Sequence, residues 1–141
     1  MQEHWKDGFV DLIGLRIVET QPDIVRATID IDERHLQPYG IVHGGVYATI
    51  VESLGSHGGV AWALTHDRAG VVGISNTTDF YRMTRSGRLL AEARPVHQGR
   101  TQQVWLVEIT RESDGKLVAR GQVRLQNMAS LEAGPTGTSG G

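Results

Sequence analysis

The segment "GIVHGGVYATIVESLGSHGG", residues 40–59, holds the side chains with the most chemical potential. Glu52 is the only formally charged residue between His35 and His66, and Ser56 follows it by one helical turn. A carboxylate in such apolar surroundings is costly unless it is paired or functional. It could attack a polarised carbonyl or activate water. A solvated crevice or an arginine partner would also account for it.

The triplet His43-Gly44-Gly45 stands at the start of a helix predicted over about residues 45–66. Two glycines there can expose backbone N–H groups at the positive helix end, suited to an oxyanion or a polarised carbonyl; such a pair also serves as a simple tight turn. Gly44 and Glu52 lie eight residues apart, which is about 12 Å along one helix. We therefore expect them to meet only where two subunits pack these helices antiparallel about a two-fold axis.

The predicted helix has no charged face, which indicates burial nearly all round. At 100° per residue, one face holds Tyr47, Ile50, Val51, Leu54, Gly58 and Ala61. The opposite face holds Ala48, Glu52, Ser56, Gly59 and Ala63. One sheet covers one side, so the other needs a second covering, most simply a second subunit. Each helix glycine costs roughly 1 kcal/mol relative to Ala, so Gly55, Gly58 and Gly59 predict a close approach by another backbone or a ligand.

The rest of the chain predicts strands around this helix. Alternating apolar residues, the turn at residues 21–23 and the hairpin turn "SDGK" at residues 113–116 mark the strand limits. A short helical segment is expected at about residues 5–12, and the strand after the long helix is expected to reach Met83. The predicted order is β-β-α-β-β-β-β, an α+β arrangement of one long helix on one antiparallel sheet.

The composition limits the kinds of function that the protein could have. The 141 residues predict one domain, placed at residues 1–128, and the Gly-, Ser-, Thr- and Pro-rich residues 129–141 predict a flexible tail. A net charge of −2 argues against nucleic acid or an anionic membrane as the main partner. The absence of cysteine excludes thiolate metal sites and a cysteine nucleophile, and no histidine spacing demands a metal. A polar N-terminus and the lack of a long apolar run favour a cytoplasmic protein.

With these residues in view, the chain resembles the hotdog-fold acyl-CoA thioesterases, in the PaaI-like family that includes 4-hydroxybenzoyl-CoA and 1,4-dihydroxy-2-naphthoyl-CoA thioesterases. The specific part is the spacing from "HGG" at 43–45 to Glu52 and Ser56; "NTTDFYR" and "VHQGRTQQVW" extend it. The resemblance implies a long central helix wrapped by a five- to six-stranded antiparallel sheet. It also implies a homodimer with composite active sites, commonly paired into a homotetramer, and no cofactor, since coenzyme A is part of the substrate.

The resemblance also implies roles for individual residues. Glu52 would attack the thioester or activate water, the Gly44 N–H would polarise the carbonyl, and the Ser56 hydroxyl would position the water or nucleophile. Further contacts with the thioester end and the CoA phosphates would come from Gln37, His43, Gly45, Arg82 and the turn Gly99-Arg100-Thr101. Gln37 and His43 could instead satisfy loop backbone groups, and the two arginines could be solvated strand-end charges.

Phe80 marks a departure within the family. Naphthoyl-CoA members tend to carry a histidine near this position, whereas Phe80 is similar to the benzoyl-CoA type, so the acyl group stays open. An aromatic acyl group could stack on Phe80 or Tyr81, or either side chain could belong to the core. Two other functions remain as alternatives: a hotdog enoyl or hydroxyacyl thioester hydratase, which would need a differently placed histidine, and a non-catalytic acyl-CoA binding module, which would not need Glu52.

Overall fold

A computed structural model describes residues 8–129 and confirms the predicted order of helix and strands. The elements are α1 (Gly8–Ile13), β1 (Arg16–Gln21), β2 (Ile24–Ile31), a short 3₁₀ turn (Glu33–His35), α2 (Gly44–Leu64), β3 (Gly70–Phe80), β4 (Gly87–Gln98), β5 (Gln102–Arg111) and β6 (Leu117–Met128). The first residues of the expected N-terminal helical segment, 5–7, and residues 130–141 of the expected tail lie outside the described residues. No helix of residues 8–129 is both long and apolar enough to span a membrane.

The limits of β3 and α2 differ from the predictions. β3 ends at Phe80 rather than Met83, because the N–H groups of Tyr81 and Arg82 both donate to Val118 O and so leave the regular ladder. α2 begins at Gly44 and ends at Leu64, where the chain tightens: Thr65 N donates back to Trp62 O at 3.1 Å. Such three-residue bonds typically close the last turn of a helix.

The six strands form one antiparallel sheet in the order β1-β2-β4-β5-β6-β3. The sheet has two edges, the short strand β1 and the long strand β3. α2 packs across the sheet and contacts all six strands. β3 runs antiparallel beside α2, since Phe80 at its end lies against Gly44 and Gly73 near its start lies under Glu52. The sheet therefore curves around the helix, as the prediction of a wrapped central helix requires.

The packed face of α2 is wider than the helical wheel predicts. Gly59 and Ala63, assigned from the sequence to the face that a second subunit would cover, are buried within the single chain, whereas Ala61 on the expected sheet-facing side is only half-buried. The assignment was wrong at these positions because the sheet and the loop after α2 cover the second half of the helix. Leu125 and Val71 lie against Gly59, and the N–H of Arg68 donates to Ala63 O at 3.0 Å. The core beneath α2 consists of apolar residues from four strands: Val25, Ala27, Ile29, Leu89, Ala91, Ala93, Trp105, Val107, Ile109, Val123 and Leu125.

The glycines inside α2 face the chain's own sheet. A Cβ placed on Gly58 would lie 2.3 Å from Cη2 of the Trp105 ring. The corresponding contacts are 2.2 Å from Gly55 to Val123 Cγ1 and 2.4 Å from Gly59 to Leu125 Cδ1. The expectation that these glycines admit another backbone or a ligand was therefore wrong. They admit bulky side chains of β5 and β6, which reach the helix backbone where a side chain would otherwise stand.

Candidate functional site

The start of α2 offers one free backbone donor. His43 caps the helix: its Nδ1 accepts the N–H of Gly45 at 2.8 Å, and its carbonyl accepts the N–H of Val46 at 2.9 Å. Among the described residues, the N–H of Gly44 has no hydrogen-bond acceptor. The first N–H groups of a helix lack partners within it and carry its positive partial charge. Gly44, rather than Gly45, is therefore the residue with a donor left for a ligand.

Phe80 lies across this helix start. A Cβ on Gly44 would stand 2.5 Å from Cε2 of the Phe80 ring, so the absence of a side chain at Gly44 is what allows this approach. The same ring packs against Tyr47 with centroids 5.6 Å apart and planes tilted by 40°. Burial raises the pKa of Tyr47, so its phenol stays neutral and supports Phe80 from below. Phe80 itself remains 57% exposed.

Glu52 lies on the open side of α2, above Gly73 of β3. Its side chain is exposed in the single chain and forms no salt bridge with any described residue, so the arginine partner considered above is missing from residues 8–129. A Cβ on Gly73 would stand only 3.1 Å from Glu52 Oε2. The pairing of β3 with β6 shifts register between Gly73 and Ser75, a β-bulge. Gly73 thus leaves space for the carboxylate.

A cleft of about 430 Å³ opens beside Glu52 between α2 and β3. Its lining consists of Ala48, Thr49, Glu52, Asn76, Thr78 and Phe80. Asn76 Nδ2 donates to Ala48 O at 2.9 Å, and Thr78 Oγ1 donates to Asn76 Oδ1 at 2.7 Å. These two bonds fix a polar wall opposite the carboxylate. Of the residues predicted for the site, only Glu52 and Phe80 line this cleft in the single chain.

Three residues at this site, Gly73, Asn76 and Thr78, were not predicted from the sequence. A signal was present, because glycine and asparagine are both depleted in strand interiors and each then has a positional reason. In "GVVGISNTTDF" Gly73 and Asn76 are such residues, whereas Thr78 is β-branched, ordinary in a strand and gives no signal. Their reason becomes visible only when β3 is placed alongside α2.

Two further predicted residues, Gln37 and Ser56, lie in the loop before α2 and on α2 itself. Gln37 Oε1 accepts the N–H of Tyr39, and the backbone N–H of Gln37 donates to Ile41 O at 2.8 Å. Gln37 therefore organises the loop before α2. Ser56 is half-buried and follows Glu52 by one turn on α2. Its hydroxyl therefore shares the open side of the helix with the carboxylate.

The predicted phosphate-binding residues lie at opposite ends of α2. Arg82 follows β3 near the helix start, where its Nη1 donates to Leu117 O at 2.7 Å. The turn Gly99-Arg100-Thr101 lies near the helix end, since Arg68, just beyond α2, donates from Nη2 to Arg100 O at 3.4 Å. A single chain therefore divides the predicted residues among the start, the middle and the end of one continuous helix. Gly44 and Glu52 stay about 12 Å apart along it.

Comparison with known proteins assigns the family. The description "Thioesterase superfamily" matches residues 39–118. The chain belongs to this superfamily. A Mycobacterium tuberculosis protein whose name assigns it only provisionally to the esterases is 49% identical over 124 residues, covering 87% of this chain and 86% of the relative. The 1,4-dihydroxy-2-naphthoyl-CoA hydrolase of Escherichia coli is 35% identical over 102 residues, covering 72% and 71%.

Solved structures agree on the fold. The Mycobacterium tuberculosis relative superposes with a TM-score of 0.84 at 45% identity, covering 88% of this chain and 98% of that one. A Haemophilus influenzae thioesterase gives 0.82 at 32% identity, covering 92% and 88%. The phenylacetic acid degradation protein PaaI of Thermus thermophilus gives 0.77 at 24% identity, covering 86% and 100%, which bears on the fold alone. The predicted hotdog fold, the PaaI-like resemblance and the activity class, thioester hydrolysis, are confirmed.

Proposed function

We propose that this thioesterase hydrolyses an acyl-CoA, with Glu52 as nucleophile or general base and the Gly44 N–H of a second subunit as donor to the thioester oxygen. The observation that carries the proposal is the exposed Glu52 carboxylate, which stands above Gly73 in the cleft without a cationic partner among residues 8–129. A carboxylate held this way is free to react. The names of a naphthoyl-CoA hydrolase and of proofreading thioesterases among the relatives support a thioester substrate.

The reaction is acyl-CoA plus water to carboxylic acid plus CoA. Either Glu52 attacks the carbonyl carbon and forms an anhydride that water opens, or it takes a proton from the water that attacks. Both routes place negative charge on the thioester oxygen, which a backbone N–H at a helix start stabilises. Collapse of this oxyanion breaks the C–S bond and releases CoA as a thiolate, which leaves the anhydride in the first route and the carboxylic acid in the second. Ser56 would hold the attacking water near Glu52.

The free edge of β3 supports a second subunit. β3 has 11 residues, a single charged side chain at Asp79 and an Ile74 that is 40% exposed. A long, weakly charged edge strand is a template for pairing with another chain. Two copies joined antiparallel along β3 would set their α2 helices side by side in opposite directions, because β3 runs beside α2. Each Glu52 would then face the partner's helix start, giving two equivalent sites per dimer. A homotetramer would pair two such dimers.

The exposed ring of Phe80 supports an aromatic acyl group. Phe80 lines the same cleft as Glu52 and lies across the helix start that carries the Gly44 donor. Aromatic rings pair in offset or tilted arrangements, which contribute about 0.5–1.5 kcal/mol beyond surface burial. An aryl group stacked on the Phe80 ring of the subunit that supplies the Gly44 N–H would bring its carbonyl between that N–H and Glu52 of the other subunit. Gln37, His43 and Gly45 would form the loop and helix start around that end of the substrate.

Thiol release from a panel of acyl-CoAs tests the activity. Benzoyl-, hydroxybenzoyl- and naphthoyl-CoA are compared with octanoyl-CoA, and Glu52→Gln serves as the matched variant because it keeps the size of an exposed side chain. We expect the highest kcat/KM for the aryl thioesters and at least a hundredfold lower kcat in Glu52→Gln, the scale of a lost acid–base or nucleophilic group. Absence of thiol release from every thioester, or an unchanged rate in Glu52→Gln, contradicts the proposal.

Two further measurements on the same protein separate the alternative functions. Hydration of enoyl-CoA without thiol release would support a hydratase, although no histidine lines the cleft. Tight CoA binding with neither reaction would support a binding module.

Mixing two impaired variants tests the composite site. Gly44→Pro removes the proposed donor; proline is tolerated at the first helical position, and His43 already has the extended conformation favoured before proline, with φ −64° and ψ 134°. Gly44→Ala is the control, because it places the same Cβ against Phe80 but keeps the N–H. A heterodimer of Gly44→Pro and Glu52→Gln has one intact and one doubly impaired site. Random reassociation should restore about a quarter of wild-type activity.

A heterodimer that forms without regaining activity would show that both groups act within one chain. A monomer in sedimentation at micromolar concentration would also remove the composite site.

A further inference from the structure

A buried amide network joins the middle of the fold to the turn between β4 and β5. Gln103 is fully buried; its Nε2 donates to Gly59 O at 3.1 Å and to Asn127 Oδ1 at 2.9 Å. Its Oε1 accepts the indole N–H of Trp105 at 2.9 Å. Both amide hydrogens and the oxygen are thus paired, so burial of this polar group carries little penalty.

Asn127 continues the network into the turn Gly99-Arg100-Thr101. Its Nδ2 donates to Gly99 O at 2.8 Å and to Arg100 O at 3.1 Å, and its backbone N–H donates to Thr101 O at 2.9 Å. Three consecutive carbonyl groups of the turn are therefore held by one residue, which is itself only 7% exposed. A fully paired buried network specifies one backbone conformation, because any other leaves polar groups unsatisfied.

The turn held in this way has a cationic surface. Arg100 and Thr101 are exposed, and the Arg68 guanidinium stands 3.4 Å from Arg100 O. Within residues 8–129 neither arginine forms a salt bridge, whereas Arg26, Arg88 and Arg111 do. Two guanidinium groups beside a fixed backbone suit a phosphate, which accepts charge-assisted hydrogen bonds from both.

The position of the turn suits the far end of a long substrate. Gln103 contacts α2 at Gly59 and Arg68 follows the end of α2, so the turn lies beside the last turns of the helix. From Glu52 to Leu64 the helix extends about 18 Å. When the thioester of an acyl-CoA lies at Glu52, an extended pantetheine arm would place the CoA nucleotide beside this turn.

We propose that Asn127, supported by Gln103, is a positioning residue that holds the Gly99–Thr101 turn in the shape in which Arg100 and Arg68 bind the phosphates of the CoA nucleotide. The inference rests on the proposed acyl-CoA hydrolysis and on the phosphate contacts expected of this turn, to which it adds the residue that fixes the shape of the turn. Asn127 then governs affinity for that half and leaves the thioester chemistry at Glu52 unchanged.

Asn127→Asp tests this role with nearly constant volume. The new carboxylate oxygen faces two carbonyls in place of a donor, which leaves these buried acceptors unpaired. We expect KM for the best acyl-CoA to rise about tenfold, with kcat within about twofold of wild type. The same acyl group on N-acetylcysteamine, which lacks the nucleotide, should keep its kcat/KM. If Asn127→Asp does not fold, the same KM and kcat measurements are made on Asn127→Ser, which introduces no charge. Gln122→Ala, on the exposed face of β6, is the control.

Binding of 3′,5′-ADP measured by calorimetry gives a readout independent of catalysis. Wild-type protein should bind it and Asn127→Asp should bind it about tenfold more weakly. Equal losses on both thioesters, an unchanged KM for acyl-CoA, or wild-type protein that neither binds 3′,5′-ADP nor prefers the CoA thioester would each overturn the inference. Failure of the proposed function is distinguishable, because it would appear as no thiol release by wild type together with intact, Asn127-dependent binding of 3′,5′-ADP.

Discussion

The two faces of α2 use small residues for opposite purposes. On the packed face, Gly58 is filled by the Trp105 ring, and Gly55 and Gly59 are filled in the same way by side chains of β6. On the open face, Ala48 and Thr49 border the cleft in which Glu52 is solvated. Small residues let side chains of the sheet pack close to the helix backbone on one side, and they leave the cleft beside Glu52 open on the other.

The comparison shows why so many glycines are tolerated in one helix. Each costs roughly 1 kcal/mol relative to Ala. A buried tryptophan removes about 150–250 Å² from water, which at about 25 cal/mol per Å² stabilises the fold by about 4–6 kcal/mol. Trp105 is fully buried, and Gly58 is the position that admits its ring. Packing on this face therefore offsets the cost of the glycines.

Gly58→Ala is expected to show the largest effect on stability. Its Cβ would stand 2.3 Å from a ring that is fully buried and tied through its N–H to Gln103, so the ring has little room to move. Overpacking of about 1–3 kcal/mol outweighs the gain of up to about 1 kcal/mol in helix propensity. Urea denaturation should show a lower midpoint with an unchanged slope.

Ser53→Ala, on a half-buried position of the same helix, is the matched control and should stay within about 0.5 kcal/mol of wild type. In a double-mutant cycle, Trp105→Phe should relieve part of the cost of Gly58→Ala, since the smaller ring leaves space. A Gly58→Ala variant as stable as wild type would show that this face is loosely packed and would remove the contrast between the faces.

The fold was predictable from the sequence because periodicity and turn chemistry are local. Alternating apolar residues and the "SDGK" turn place the strands, and the long apolar run after "HGG" places α2. The orientation of α2 was not predictable. Its circumference carries one charge, so no polar side marks the surface, and only the curvature of the sheet decides which residues it covers.

Only part of the candidate site could be predicted from the sequence, because some of its residues are brought to Glu52 by packing alone. Glu52 stands out because a lone charge in an apolar helix is costly, and this needs no structure to see. Gly73 and Asn76 come from a strand some twenty residues later, and their relation to Glu52 depends on how β3 is laid beside α2. Whether a glycine in α2 is filled by the chain itself or by a partner is likewise a question of packing, which is why the glycines were assigned wrongly.

Gly73→Ala is expected to have the smallest effect on stability. It tests the difference between the two faces of α2, because Gly73 lies where the sheet meets the open face. The added Cβ would stand 3.1 Å from Glu52 Oε2, the end of a flexible side chain, which can move aside by a few tenths of an ångström. Stability should therefore change by less than about 0.5 kcal/mol. Catalysis depends on placement within a fraction of an ångström, so kcat should fall by about tenfold. Thr77→Ala, on the opposite face of β3, is the control. If Gly73→Ala lowers stability and leaves kcat unchanged, Gly73 serves packing, and the space above it is not held for the carboxylate.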